Sequence, residues 1–469
     1  MGKNILVFSD GTGQAGGLMP DEARSNVYKL FRSTRCGPDT AVDPTKQLTF
    51  YDPGLGSKAD SGGRKFWGPG RWIYNKLSQA TGLGITRNII DCYAAIVQLW
   101  QPGDRIYLFG FSRGAYTARC VGGVLGLCGV PTKMKDGSPL KRDSDSAHAI
   151  ASEAVKSVYQ FGSSIKGDPY KPQRLERAKK FRLVYASGDA EEPNAVPYFV
   201  GVWDTVATLG AGWRGLSIVA IVGFALATAL VRLFLLIWPY PIGAMAWLFS
   251  AGAVLVVCVA IYLFASFRYR QWISLARYRM AFYDTKLNSR VSFARHALSI
   301  DENRRDFHRV LWDEDGSERI KTLAIGPERF EQIWFAGNHS DIGGSYAENE
   351  SRLSDIALQW MAGEAQSLPH SILIDSAYLK PSPSSAGLQH DERKATIARL
   401  WPMFARCVRL FISDKNLGWV EGLRQIPNDA PLHPTVMERF ELPSVLAYDV
   451  TIPYRPEALR HHQMVKKYY

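Results

Sequence analysis

The chain opens on a short apolar run, residues 4–9, that turns at once into the polar, glycine-rich Asp10-Gly11-Thr12-Gly13. An apolar run of this length closed by turn residues predicts a buried strand. The pattern recurs at 47–51, 105–111, 198–203 and 332–335. Helical periods lie between these runs. Ile85, Ile89, Tyr93, Ile96, Val97 and Trp100 share one face and predict an amphipathic helix over 84–100, stopped by Gln101-Pro102-Gly103. Further helices are predicted over 25–31 with Ser25 as cap, and over 113–127, 147–161, 292–298 and 353–365. Strands alternating with helices predict an α/β fold, a mostly parallel sheet with helices on both faces. The glycine-rich stretch 54–70 and the Ser/Pro-rich stretch 368–393 read as loops, while 394–469 mixes short helix and strand signals. Loops 54–82 and 368–393 are candidate lids.

Residues 216–238 and 242–267 break the alternation. They are long apolar stretches whose one charged residue is Arg232, joined by a turn around Pro239-Tyr240-Pro241. A helix of 23 residues rises about 35 Å, enough to cross a hydrocarbon core of ~30 Å. A two-helix transmembrane hairpin is therefore expected over 214–267. It divides the α/β domain into a first part, 1–213, and a second, 268–469. The segment 205–283 carries six arginines (214, 232, 268, 270, 277 and 279) and no Lys, Asp or Glu. That bias predicts a multi-pass membrane protein with its α/β domain on the cytoplasmic side of a bacterial inner membrane.

Composition changes this picture little. Of 469 residues, 46% are hydrophobic and 21% charged, which excludes a mostly disordered chain. Six cysteines without a CxxC pair argue against a disulfide scaffold or a thiolate zinc site, and a reducing compartment fits best. No metal or cofactor is expected. Half of the net charge of +12 comes from those six arginines. Without a basic helix or an aromatic platform motif, no nucleic-acid partner is expected.

The strongest chemical signal is Gly110-Phe111-Ser112-Arg113-Gly114, a G-x-S-x-G sequence between a predicted buried strand and a helix. That context is what a nucleophile elbow requires: Gly110 and Gly114 leave room for a sharp turn that exposes the Ser112 hydroxyl, and the Arg113 N–H faces the oxyanion. A serine needs a base held by a carboxylate, and in α/β-hydrolases the chain order is Ser, acid, His. Asp204 ends the strand Val200-Gly201-Val202-Trp203 and fits the acid. Among nine histidines, His339 fits the base, because it follows the strand Ile333-Trp334-Phe335 in a glycine-rich loop. Asp341 lies two residues on, poorly placed to orient His339, and reads as a supporting or capping residue. Gly11 or Thr12 could give the second oxyanion N–H. Asp10 reads as a residue that fixes that loop. Asp313-Glu314-Asp315-Gly316 reads as a solvated turn, not a calcium loop.

Taken together, these segments resemble the uncharacterised α/β-hydrolase domain shared with type VI secretion phospholipase effectors. The matching segments are Asp10-Gly11-Thr12, Tyr51 through Gly56, Gly110 through Ala115, Val202 through Val206, His296 through Glu302, Trp334 through Gly344, Leu353 through Met361, and His433-Pro434. The resemblance implies Ser112 as nucleophile, Asp204 as orienting acid, His339 as base, and a glycerophospholipid acyl ester as substrate. Two departures are Gly13-Gln14, where the family often has an aromatic residue and Asn, and the apolar hairpin. The expected function is a membrane-associated serine esterase of the phospholipase A type. Its expected partners are membrane phospholipid, the bilayer through 216–267, and an inhibitory or immunity protein. The alternatives are a carboxylesterase on small or polyester substrates, and a non-enzymatic signalling or pore-forming protein on a hydrolase scaffold.

Overall fold

The computed structural model describes residues 2–11, 23–53, 85–162, 169–206, 287–288, 290–304, 310–312, 328–392 and 421–469. Six strands form one sheet: β1 (Asn4–Ser9), β2 (Gln47–Asp52), β3 (Arg105–Phe111), β4 (Pro197–Trp203), β5 (Phe293–Ser299) and β6 (Phe330–Phe335). Their order is β2-β1-β3-β4-β5-β6, and every pairing is parallel. A parallel sheet needs cover on both faces, because its crossovers place helices there. Alternation along the strands supplies two apolar faces. Ile5, Val7, Ile106, Leu108, Val200 and Val202 point into one core, shared with α2 (Ile85–Leu99), α3 (Arg113–Cys128), α4 (Ser144–Ser152) and α5 (Lys171–Tyr185). Leu6, Phe8, Tyr107, Phe109, Phe199 and Trp203 point into the other, shared with α1 (Asn26–Thr34) and α7 (Arg352–Gln366). Between β6 and α7 lies the five-residue α6 (His339–Gly343), separated from the end of β6 by three residues.

A third core lies beyond β6, where Trp334 packs with Val436 and Phe440 of α8 (Pro434–Glu441) and with Val445 and Ala447 of β7 (Val445–Ala447). β7 pairs antiparallel with β8 (Val450–Ile452). The C-terminal segment is tied to the sheet edge by backbone bonds, Trp334 N–H to Pro431 O at 3.0 Å and His433 N–H to Trp334 O at 2.9 Å.

The sheet and its two helical layers agree with the predicted α/β class. Three expectations change. Residues 292–298, expected as a helix, are strand β5, because β4 and β6 pair with it on both sides. Residues 147–161 are not one regular helix; α4 passes into a π-helix at Glu153–Tyr159. The multi-pass membrane placement is corrected as well: among the described residues no helix is long and apolar enough to cross a membrane. The longest of them, α3 with 16 residues, rises only about 24 Å against a core of ~30 Å. Residues 216–267, expected as the hairpin, lie outside the described residues, as do Thr12, the loop 54–82 and the turn 313–316.

Candidate active site

In a parallel sheet, sites form at the carboxyl ends of strands where the strand order reverses. Here β1 has β2 on one side and β3 on the other, so the ends of β1, β3 and β4 converge. Ser112 stands at the end of β3 as the N-cap of α3, with φ 58° and ψ −119°. A non-glycine residue in that region is strained, and such strain concentrates at functional sites. The turn holds because its neighbours are glycines: a Cβ on Gly110 would lie 2.4 Å from Gly114 O, and one on Gly114 would lie 2.0 Å from Ser9 O. The Ser112 N–H donates to Trp203 O at 3.1 Å, which sets the serine beside the end of β4. Its hydroxyl makes no cap bond to the helix.

Asp204 also has positive φ, 34°, at the end of β4, and is fully buried. Its Oδ2 lies 2.6 Å from His339 Nδ1 and accepts from Arg424 Nη2 at 2.9 Å. Its Oδ1 accepts the Ser299 N–H at 3.1 Å. Burial alone would raise this carboxyl; Arg424 and the hydrogen bond to His339 outweigh it and hold the group well below the usual carboxylate range. His339 begins α6, and its ring lies over Phe111, centroids 4.7 Å apart, one residue from Ser112. The structure thus gathers Ser112, Asp204 and His339 at the carboxyl ends of β3, β4 and β6, and His339 turns to Asp204, not to Asp341.

Asp341 instead completes a capping box: Asn338 accepts the Asp341 N–H at 2.9 Å and donates its own N–H to Asp341 Oδ2 at 3.0 Å. Asp341 Oδ1 faces His390 Nδ1 at 2.7 Å, and Tyr346 stacks on the His390 ring. Asp10 Oδ2 accepts the hydroxyls of Ser25 at 2.5 Å and Tyr51 at 2.6 Å. Burial raises the Asp10 carboxyl to about 6. Its Oδ1 accepts the Gly11 N–H at 2.7 Å, so one of the two expected oxyanion donors from this loop is engaged by its own neighbour. A Cβ on Gly11 would lie 3.7 Å from Ser112 Cβ, which places this loop beside the serine.

Three residues here were not singled out for a role by their sequence context. Glu302, buried, accepts the His339 N–H on Oε2 at 3.2 Å and pairs with Arg304 through Oε1. His296 sits beneath the Asp204 turn, where its Nε2 accepts the Thr205 N–H at 3.3 Å. Burial and then the Arg119 charge lower His296 to about 3, so it stays a neutral support. The third is Arg424, 220 residues from its partner Asp204. Among the described residues, no group of three or more His, Cys, Asp or Glu is arranged to hold a metal ion.

A family model described as the catalytic domain of Tle1-like phospholipase effectors of the type VI secretion system matches residues 3–364. The chain belongs to this family. The match takes in the sheet, Ser112, Asp204 and His339, and stops within α7, before His390 and Arg424. The family is one of lipid hydrolases by its description. An uncharacterized protein of Saccharomyces cerevisiae, YEL023C, is 26% identical over 212 residues, 45% of this chain and 27% of that protein. An uncharacterized protein from Pseudomonas aeruginosa has a crystal structure that covers 81% of this chain and 47% of its own, at 17% identity and a TM-score of 0.35. A Tle1 effector bound to the VgrG spike of the type VI secretion system covers 75% of this chain and 53% of its own, at 15% identity and a TM-score of 0.28. The Tle1-like chain thus spans about a quarter of the yeast protein and about half of each solved one.

Proposed function

We propose that the chain is a serine hydrolase that cleaves acyl esters of glycerophospholipids, a phospholipase A, through an acyl-enzyme on Ser112. One observation carries the reading: a serine held at φ 58° on a strand-to-helix elbow, beside a histidine whose Nδ1 lies 2.6 Å from a buried carboxylate. Family membership supports the lipid substrate. In this scheme His339 Nε2 takes the Ser112 proton as the oxygen attacks the ester carbonyl. The Nδ1–H bond to Asp204 fixes the tautomer that leaves Nε2 basic, and Asp204 stabilises the imidazolium. His339 returns the proton to the leaving lyso-lipid alkoxide. A water then repeats the sequence on the acyl-enzyme and releases fatty acid. The Arg113 N–H is one proposed oxyanion donor. The backbone of loop 10–13 supplies the other, and Gly11 can serve only if it leaves Asp10 Oδ1.

The test compares wild type with Ser112→Ala for fluorophosphonate labelling and for fatty-acid release from phosphatidylcholine, phosphatidylethanolamine and phosphatidylglycerol vesicles. Labelling should vanish and release should fall at least ~10³-fold, since the nucleophile acts as a unit with its base. Labelling that survives the substitution overturns the nucleophile. Turnover of a short p-nitrophenyl ester without release from any lipid overturns the phospholipase substrate and favours a carboxylesterase.

A further inference from the structure

Arg424 is a buried cation at the centre of the site that the scheme above leaves without a task. It stands in the C-terminal segment, beyond the residues the family model matches. That segment is registered against the chain just past β5, where Gly422 N–H donates to Asn303 O at 3.0 Å and the backbones of Glu421 and Arg304 form an isolated antiparallel bridge. The Arg424 side chain reaches Asp204 Oδ2 at 2.9 Å, the same oxygen that faces His339 Nδ1. Among the described residues its Nε and Nη1 are buried without a hydrogen-bond partner. One bracing arginine offers a contrast. Arg182 spends Nε, Nη1 and Nη2 on the carbonyls of Asp189, Leu127 and Ala190. A guanidinium that forgoes such bonds and turns Nη2 on one carboxylate is placed for that carboxylate.

We propose that Arg424 is a positioning residue: from outside the matched catalytic domain it locks Asp204 in the rotamer that receives His339 and keeps it ionised. The inference rests on the Ser112–His339–Asp204 reading. With Ser299 N–H on Oδ1 and Arg424 on Oδ2, both oxygens are pinned, and the carboxylate presents one lone-pair direction to the imidazole. Without the arginine, desolvation would act on Asp204 against fewer opposing interactions, and the carboxyl would take up a proton more readily. An ionised Asp204 is thereby kept for His339 down to lower pH. Among the described residues, the other charged or titratable groups facing this cluster are Glu302, paired with Arg304, and His296, with Arg119 behind it. None of these lies on the Asp204 oxygens.

The experiment measures kcat/KM against pH on a soluble short-chain phosphatidylcholine for wild type, Ser112→Ala, Arg424→Lys and Arg424→Met. Arg424→Met, close in volume and uncharged, should lose at least ~10-fold in kcat/KM and move the acid limb up by about one pH unit. Arg424→Lys keeps the charge and should keep the limb within a few tenths of wild type. A Met variant that is slower with an unmoved limb reduces Arg424 to packing and overturns the proposal, as does a Lys variant whose limb moves as far as the Met variant's. Should Arg424→Met fail to fold, Arg424→Gln carries the same test with a retained N–H donor and no charge. If Ser112→Ala keeps full activity, the triad reading itself fails; if it is dead while Arg424→Met matches wild type, only the arginine inference fails.

Discussion

Gly114→Ala tests the elbow by adding a single methyl group. Gly114 is the second residue of α3, so alanine brings a helix-propensity gain of at most ~1 kcal/mol. Against this, the new Cβ would meet Ser9 O at 2.0 Å, Ser9 C at 2.5 Å and Asp10 O at 2.6 Å, where ordinary contact begins near 3.4 Å. All three atoms are backbone, at the end of a strand paired on both sides, so no rotamer can move away. The helix start and the end of β1 must therefore separate by more than an ångström. Overpacking of this kind costs typically ~1–3 kcal/mol, and a clash with fixed backbone belongs at the upper end. The net expectation is a destabilisation of about 1–2 kcal/mol and, for a chain of 469 residues, a Tm lower by roughly 1–2 °C. The rate effect should be larger than the stability effect, because a catalytic group misplaced by about 1 Å costs on the order of 10²-fold. The assay is thermal unfolding alongside the fluorophosphonate labelling rate. Gly363→Ala is the control: it lies inside α7 with nothing within 4 Å of its new Cβ, and should gain up to ~1 kcal/mol without touching the labelling rate. A Gly114→Ala protein that melts at or above the wild-type temperature and labels at the wild-type rate would refute the close-packed elbow.

Two further expectations concern buried titrations. Burial opposes a charged His390, but the hydrogen bond and charge of Asp341, with Glu350 beyond, raise it above the ordinary histidine value, while burial also pushes Asp341 up. A raised histidine contributes stability that is fully present below about pH 6.5 and is lost as pH rises through the folded value. Melting temperature should therefore fall across that rise in wild type, and the fall should shrink in His390→Gln; equal slopes would exclude the pair as a pH-dependent brace of the His339 loop. Asp10, raised to about 6, likewise contributes stability present near pH 4 and lost by pH 7, worth up to about 3 kcal/mol. Asp10→Asn keeps an acceptor for Ser25 and Tyr51 and should flatten that part of the stability profile, as denaturant unfolding at pH 4 and 7 would show; an unchanged difference would mean that Asp10 titrates normally.

Much of the layered fold was legible because its signals are local. Five of the six strands announce themselves as short apolar runs ended by glycine or an acid, and α2 shows its face in the spacing of Ile85, Ile89, Tyr93 and Ile96. The sixth, β5, does not show as a strand because Phe293-Ala294-Arg295-His296-Ala297-Leu298-Ser299 satisfies neither period cleanly. Arg295 and His296 are both fully buried there, which a propensity argument would place at the surface. The helix α5 was missed for a related reason: Arg174 and Arg182 occupy buried positions beside Ala178, Phe181 and Tyr185, and hide its apolar stripe.

The site divides in the same way. Residues 110–114 carry a nucleophile elbow within five positions, since the steric demand on Gly110 and Gly114 comes from the turn itself and the strand beside it. The order of Ser112, Asp204 and His339, each just past a strand, was also written in the chain. What the sequence could not specify is how distant segments share one oxygen. Whether His339 faces Asp204 or Asp341, and that Arg424 joins Asp204, are set by contacts 135 and 220 residues apart. Hydrophobic period is a property of neighbours along the chain, whereas a buried carboxylate takes its partners from whichever elements the packed sheet brings to its end.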